Sequence, residues 1–255
     1  MAKTAITFFG RSALFILLLL LLYSGSPVAR ADTLQLSSLN WPPYSGQMLQ
    51  QQGACVAVVK AALAAMGHEL KINFYPWSRA IKLAGMPGSP YLGYFPEYYH
   101  QSDKFIFSKP LGFSQLALVE QVQRPVSWQQ LQDLQRYNLG VVKDYVNTES
   151  LDRAMDSGRQ PFELANSDEQ NLRKLAAARI DAVVIDANVY RYLLRQQGME
   201  ELEGKLKLNR QLLASKGLLV AFRNSEEGQR WRDIFDQGLA RIDAKSILEQ
   251  HLKYH

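Results

Sequence analysis

The chain has 255 residues, 29 Lys and Arg against 24 Asp and Glu, and a formal net charge of +5. That length supplies one large domain or two small lobes without covalent staples. One cysteine, Cys55, excludes an intramolecular disulfide, and the scattered histidines, His68, His100, His251 and His255, argue against a zinc site.

Residues 1–31 read as a secretory signal. Lys3 and Arg11 flank the start of an apolar run at 13–23, "ALFILLLLLLY", and Ala29-Arg30-Ala31 supplies a small-x-small cleavage site. The competing reading is a retained anchor, but a membrane span needs about 20 apolar residues. No cysteine stands near the cleavage site to carry a lipid. Cleavage after Ala31 starts the mature chain at Asp32 and removes three cations, Lys3, Arg11 and Arg30, and no acid. The remaining basic residues form no cluster interleaved with aromatics, so nucleic acid is not an expected partner. Export without disulfides suits a bacterial periplasm.

From Asp32 onward, strand and helix signals alternate. Residues 34–39 read as a strand, ended by "NWPPYSG" at 40–46, because neither strand nor helix continues through Pro42-Pro43. Residues 54–66 follow as an amphipathic helix stopped by Gly67. Then come the strand "ELKINFY" and a helix at 78–84 between a Ser78 cap and Gly85. "YLGYF" and "QLALVEQ" read as strands. "SWQQLQDLQ" opens with a capping box, Ser127 and Gln130, and "NLGVV" is a strand. "SDEQNLRKLAAA" opens with a second box, Ser167 and Gln170. "DAVVI" is a buried strand, with a helix after it to Gln197. "KGLLVAF" is a late strand, and Ser225 caps a long helix that turns Trp231, Ile234, Phe235 and Leu239 inward. A last helix closes the chain. This alternation predicts an α/β fold with parallel sheets.

Catalytic patterns are absent. There is no H-E-x-x-H, no Walker loop and no G-x-G-x-x-G, and "GFSQL" lacks the second glycine of a nucleophile elbow. No cofactor is expected. Three successive strand ends instead carry aromatics beside a proline: Trp41 and Tyr44, then Tyr75 and Trp77, then Tyr94, Phe95, Tyr98 and Tyr99. Either these rings pack on the core, or they wall a ligand slot.

The order "WPPYSG", "NFYPWSRAI", "FIFSKPLGFSQLALV", "LGVV", "LAAARIDAVVIDANV", "GLLVAFR" resembles the extracellular solute-binding proteins of family 3, the periplasmic receptors of polar amino acid ABC transporters. The resemblance spans residues 33–254. It implies a periplasmic binding protein-like fold: two α/β lobes, residues 32–119 plus 216–255 and residues 120–215, joined by a two-strand hinge. It also implies that Trp41 and Trp77 sandwich the ligand and that Asp186 holds its ammonium. The residue reading leaves Asp186 open as a helix N-cap and Arg79 as a solvated helix charge.

Two departures stand out. Gln101 occupies the place of the family's carboxylate-clamping arginine, and Gln offers donors without charge. The family's hydroxyl-bearing residues just before it are replaced by Tyr94, Phe95 and Pro96. Asp144 and Tyr145 stand where a small Gly-Thr-like pair would receive an anion. Lys109 or Arg79 could restore a carboxylate contact. The resulting expectation is a monomeric, non-enzymatic periplasmic protein. It binds a small polar, amine-bearing or amino acid-like solute and delivers it to an ABC permease or acts as a detached sensor. The alternatives are a dehydratase-like enzyme on the same scaffold, with Glu97 or Asp144 as acid or base, and a partner-binding module.

Overall fold

A computed structural model describes residues 31–253, so the signal-like segment lies almost wholly outside the described residues. Among the described residues, no helix is long and apolar enough to cross a membrane. Strands β1 (Thr33–Ser38), β2 (Glu69–Phe74) and β3 (Gly93–Glu97) form a parallel group ordered β2-β1-β3. The three-residue β4 (Phe105–Phe107) lies off this path. A second group contains β5 (Gly112–Gln121), β6 (Leu139–Val142), β7 (Phe162–Ala165) and β8 (Ala182–Asp186), ordered β5-β8-β6-β7.

The two groups are stitched by β9 (Leu206–Arg223), a strand of 18 residues. Its end pairs antiparallel with β3 and β4, and its earlier part pairs antiparallel with β5 from Gly112↔Leu218 to Gln121↔Leu206. The β5–β9 register shifts on both sides of Ala117. Sequence signals at 216–222 captured only the apolar end of this strand. Its first part, "LKLNRQLLAS", is polar and half-exposed and carries little hydrophobic periodicity.

Helix α1 (Ala54–Ala64) corrects the expected amphipathic helix. Its Ala, Val, Leu and Cys side chains are buried nearly all round, and it stops short of Met66. It packs against α6 (Glu226–Leu239) and α7 (Ala244–Lys253). Gly238 of α6 permits this approach, since a Cβ there would stand 2.1 Å from the Ala62 carbonyl oxygen. Trp231 and Phe235 of α6 are buried as expected, under the Ser225 cap.

Helix α2 (Trp77–Gly85) begins one residue before the predicted start, behind Pro76. Ser78 is therefore not its cap and turns to Asp144 instead. Helix α3 (Glu149–Asp156) and β7 were not predicted. Helix α4 (Asp168–Ala176) starts at its Ser167 cap as predicted. Helix α5 (Ala187–Leu193) ends before the expected Gln197. The first capping box is displaced: Gln130 caps a 3-10 turn over Leu131–Arg136, and Asp133 closes the box.

The turn after β1 is held by α1. The Ala54 and Cys55 amides donate to the Pro43 and Tyr44 carbonyls at 3.1 and 2.8 Å, which satisfies helix-terminal donors with the turn's backbone. Gly53 makes this approach possible. Its φ is +104°, and a Cβ would lie 2.6 Å from the Tyr44 carbonyl oxygen. Gly53→Ala is expected to lower unfolding stability by about 2–4 kcal/mol through strain and backbone clash, measured by urea denaturation. A loss below about 0.5 kcal/mol would show that the turn does not depend on this contact.

Candidate ligand site

The Pro42-Pro43 turn stacks Trp41 on Tyr44, with ring centroids 4.7 Å apart. Both rings are buried. The Tyr44 hydroxyl donates to Asp186 Oδ2 at 3.1 Å and accepts from Asn188 Nδ2 at 2.9 Å. Asp186 is also the N-cap of α5: its Oδ1 accepts the Asn188 and Val189 amides at 2.7 and 2.9 Å. The Ser114 hydroxyl favours its charged form too, and Ser114 shares a 2.5 Å hydrogen bond with the Tyr98 hydroxyl. Burial nevertheless raises the Asp186 carboxyl above its ordinary range. Asp186 thus caps α5, with its carboxylate committed to these internal donors.

Trp77 enters from the other side. Its ring packs edge-to-face on the buried Tyr94 at 5.2 Å, and its Nε1 donates to the Asp144 carbonyl at 3.1 Å. The Ser78 hydroxyl donates to the Asp144 carboxylate. Tyr145 then stands edge-to-face to both indoles, 6.4 Å from each. Trp41, Trp77, Tyr98, Tyr145 and Glu97 wall a cavity of about 30 Å³, room for one or two water-sized groups. A wider cleft of about 560 Å³ shares Trp41, Trp77 and Tyr145 and adds Asp168 and Lys143.

Other predicted residues lie elsewhere. Tyr94 is a core ring wedged between Trp77 and Phe105. Arg79 is exposed, its guanidinium 5.2 Å over the Tyr75 ring, because its place on α2 faces away from the cavity. Gln101 is exposed in a turn capped by the Ser102 hydroxyl, and it lines a separate groove of about 820 Å³ with Asp144 and Tyr145. Lys109 sits on the surface, its amide bonded to Asp236.

The sequence reading left Asp168 and Lys216 out of the site, named Tyr98 only among the strand-end rings, and weighed Glu97 only as an enzyme's acid or base. Asp168 looked like an ordinary first-turn acid of a helix. Burial and the nearby Asp186 charge raise its carboxyl from 3.8 to about 7, against a counter-effect from the Trp41 indole. Burial raises Glu97 from 4.5 to about 8, although the Tyr98 amide and the Tyr94 hydroxyl bond to it. Lys216, half-buried, donates to the Asn147 carbonyl at 2.6 Å and lies 5.0 Å over the Tyr98 ring. Burial lowers its pKa, against Asp152 and Glu97. One visible signal was a carboxylate inside the aromatic run "YFPEYY".

Glu97 and Asp168 both bind protons more tightly in the folded chain than in the unfolded one. Stability from this source is therefore full at acid pH and falls as pH rises from about 4 to about 8. Glu97→Gln is expected to gain on the order of 2 kcal/mol over wild type at pH 8.5 and little at pH 5. Thermal unfolding at the two pH values checks this, and an equal effect at both would remove Glu97 titration as the cause.

The sequence matches no protein-family model and no curated protein. The structure does have solved counterparts. A histidine kinase sensor domain similar to periplasmic binding proteins aligns with TM-score 0.72 at 18% identity, over 88% of this chain and 96% of that one. An arginine transport-system periplasmic binding protein from Legionella pneumophila aligns with TM-score 0.66 at 16% identity, over 88% and 99%. An ancestral amino acid-binding protein, precursor of cyclohexadienyl dehydratase, aligns with TM-score 0.64 at 14% identity, over 87% and 94%. With its mixed sheet and two strand groups stitched by β9, the chain has the periplasmic binding protein fold.

Proposed function

We propose that this chain is an exported solute-binding protein of family 3, taking a small polar solute between two lobes, residues 32–119 plus 216–255 and residues 120–215. The observation that carries the reading is the aromatic-walled cavity. Trp41 and Trp77 come from the β1–β3 group and Tyr145 from the loop after β6, so closing one group on the other would enclose a solute between rings. The signal-like residues 1–31 support periplasmic location, and an ABC permease is the partner this role requires. The amino acid-binding neighbours support the solute class.

The sensor-domain neighbour favours a second reading, in which the same capture serves signalling and not transport. Both readings need a ligand. Mass spectrometry of the natively purified protein is expected to find one small solute in stoichiometric amount, with calorimetry against the twenty amino acids and a panel of amines giving its affinity. Trp41→Ala and Trp77→Ala are each expected to cost about 2–4 kcal/mol of that affinity, as central aromatic anchors do. Heavy loss of thermal stability with affinity retained would make the rings core packing and sink the reading.

A further inference from the structure

Tyr145 has an unusual place among the described residues: it alone lines all three voids around the site, the small cavity, the wide cleft and the groove that holds Gln101. Its ring contacts both indoles at the same distance and angle, 6.4 Å and 84°. Tyr145 is half-buried. Its hydroxyl makes no hydrogen bond to another side chain or backbone group among the described residues, although Asp168 and Glu97 lie near enough to affect it. The ring is thus held by aromatic faces and by its neighbour Asp144. Asp144 itself sits at φ +63°, a conformation an aspartate adopts at some strain when contacts hold it there. Those contacts are the Trp77 indole on its carbonyl and the Ser78 hydroxyl on its carboxylate.

We infer that Tyr145 is the chain's own occupant of the aromatic site, a specificity-determining residue that a solute must displace from Trp41 and Trp77 in order to bind. The inference rests on the solute-binding reading for its consequence, not for its geometry. While the ring is in place, the space left between the rings is about 30 Å³. Amino acids and larger amines do not fit there. When the ring leaves, the small cavity joins the cleft and the groove, and the indole faces are free. Self-occupancy lowers apparent affinity by the fraction of time the site is vacant, so deleting the competitor tightens binding. An ordinary wall residue predicts the opposite sign.

The test is calorimetry and circular dichroism on wild type, Tyr145→Phe and Tyr145→Ala. The probes are 4-methylphenol, which is the free tyrosine side chain, and the panel of amino acids and amines. Tyr145→Ala is expected to bind 4-methylphenol, wild type and Tyr145→Phe are not, and adding Trp41→Ala to Tyr145→Ala abolishes that binding. Any panel solute held by wild type is expected to bind Tyr145→Ala about tenfold more tightly or better.

Folded Tyr145→Ala that fails to bind 4-methylphenol, or that binds the panel solute more weakly than wild type, would overturn the inference and leave the solute-binding reading standing. If 4-methylphenol binds as expected while no panel solute binds either protein and none co-purifies, the solute-binding reading falls and self-occupancy stands. Should Tyr145→Ala not fold, Ser78→Ala loosens the same latch from an exposed position and is expected to tighten the panel solute about two- to fivefold. No gain with that variant also overturns the inference.

Discussion

A carboxylate taken out of water must be met by donors, and Asp186 is almost fully buried at the end of β8. Its partners decide where three segments go. Two are amides of the helix that follows it, so the helix has to start there. Another is the Tyr44 hydroxyl, 142 residues earlier, which brings the double-proline turn onto β8. Ser114 adds the start of β5 and, through it, Tyr98. The aromatic site is assembled around this one charge. Replacing Asp186 would leave Tyr44 and two helix-terminal amides without an acceptor, which is more costly than losing one hydrogen bond.

The same need explains the electrostatic character of the site. Four carboxyls, Asp186, Asp168, Glu97 and Asp152, are raised by burial, with Lys216 as a partly buried cation beside them. Donors are found for each, yet none fully offsets desolvation. Of the four carboxyls, Asp168 at about 7 and Glu97 at about 8 hold protons toward neutral pH. A cationic group entering the site would be met by these carboxyls, and an anionic group by Lys216 and by Lys143 of the cleft.

Local signals carried much of the fold. Apolar runs with Ser or Asp caps located α4, α5, α6 and β8 because their boundaries are set by neighbours in sequence. The segment 143–166 was opaque: α3 and β7 are short and polar outside two or three positions, and β7 is held by its ladder with β6. In the site, prolines advertised Trp41 and Trp77. Nothing local distinguished Asp168 from a solvent-facing first-turn acid, since its burial comes from Trp41 and from Asp186 in other segments. Gln101 was placed by counting along a motif. The turn at Ser102 carries it to the surface, where counting has no purchase.

The register shifts on either side of Ala117 have a mechanical consequence. There β9 passes more residues than β5 between matched pairs, from Ala117↔Leu212 to Val119↔Leu208, and the ladder loses regular bonds. A ribbon of two strands is stiff where every rung is present and compliant where rungs are missing. Torsion applied to the pair is therefore taken up at this point, near the middle of the β5–β9 pairing. Asn209, bonded to Glu120, Val126 and Trp128, sits in that interval as a side-chain brace across the missing rungs.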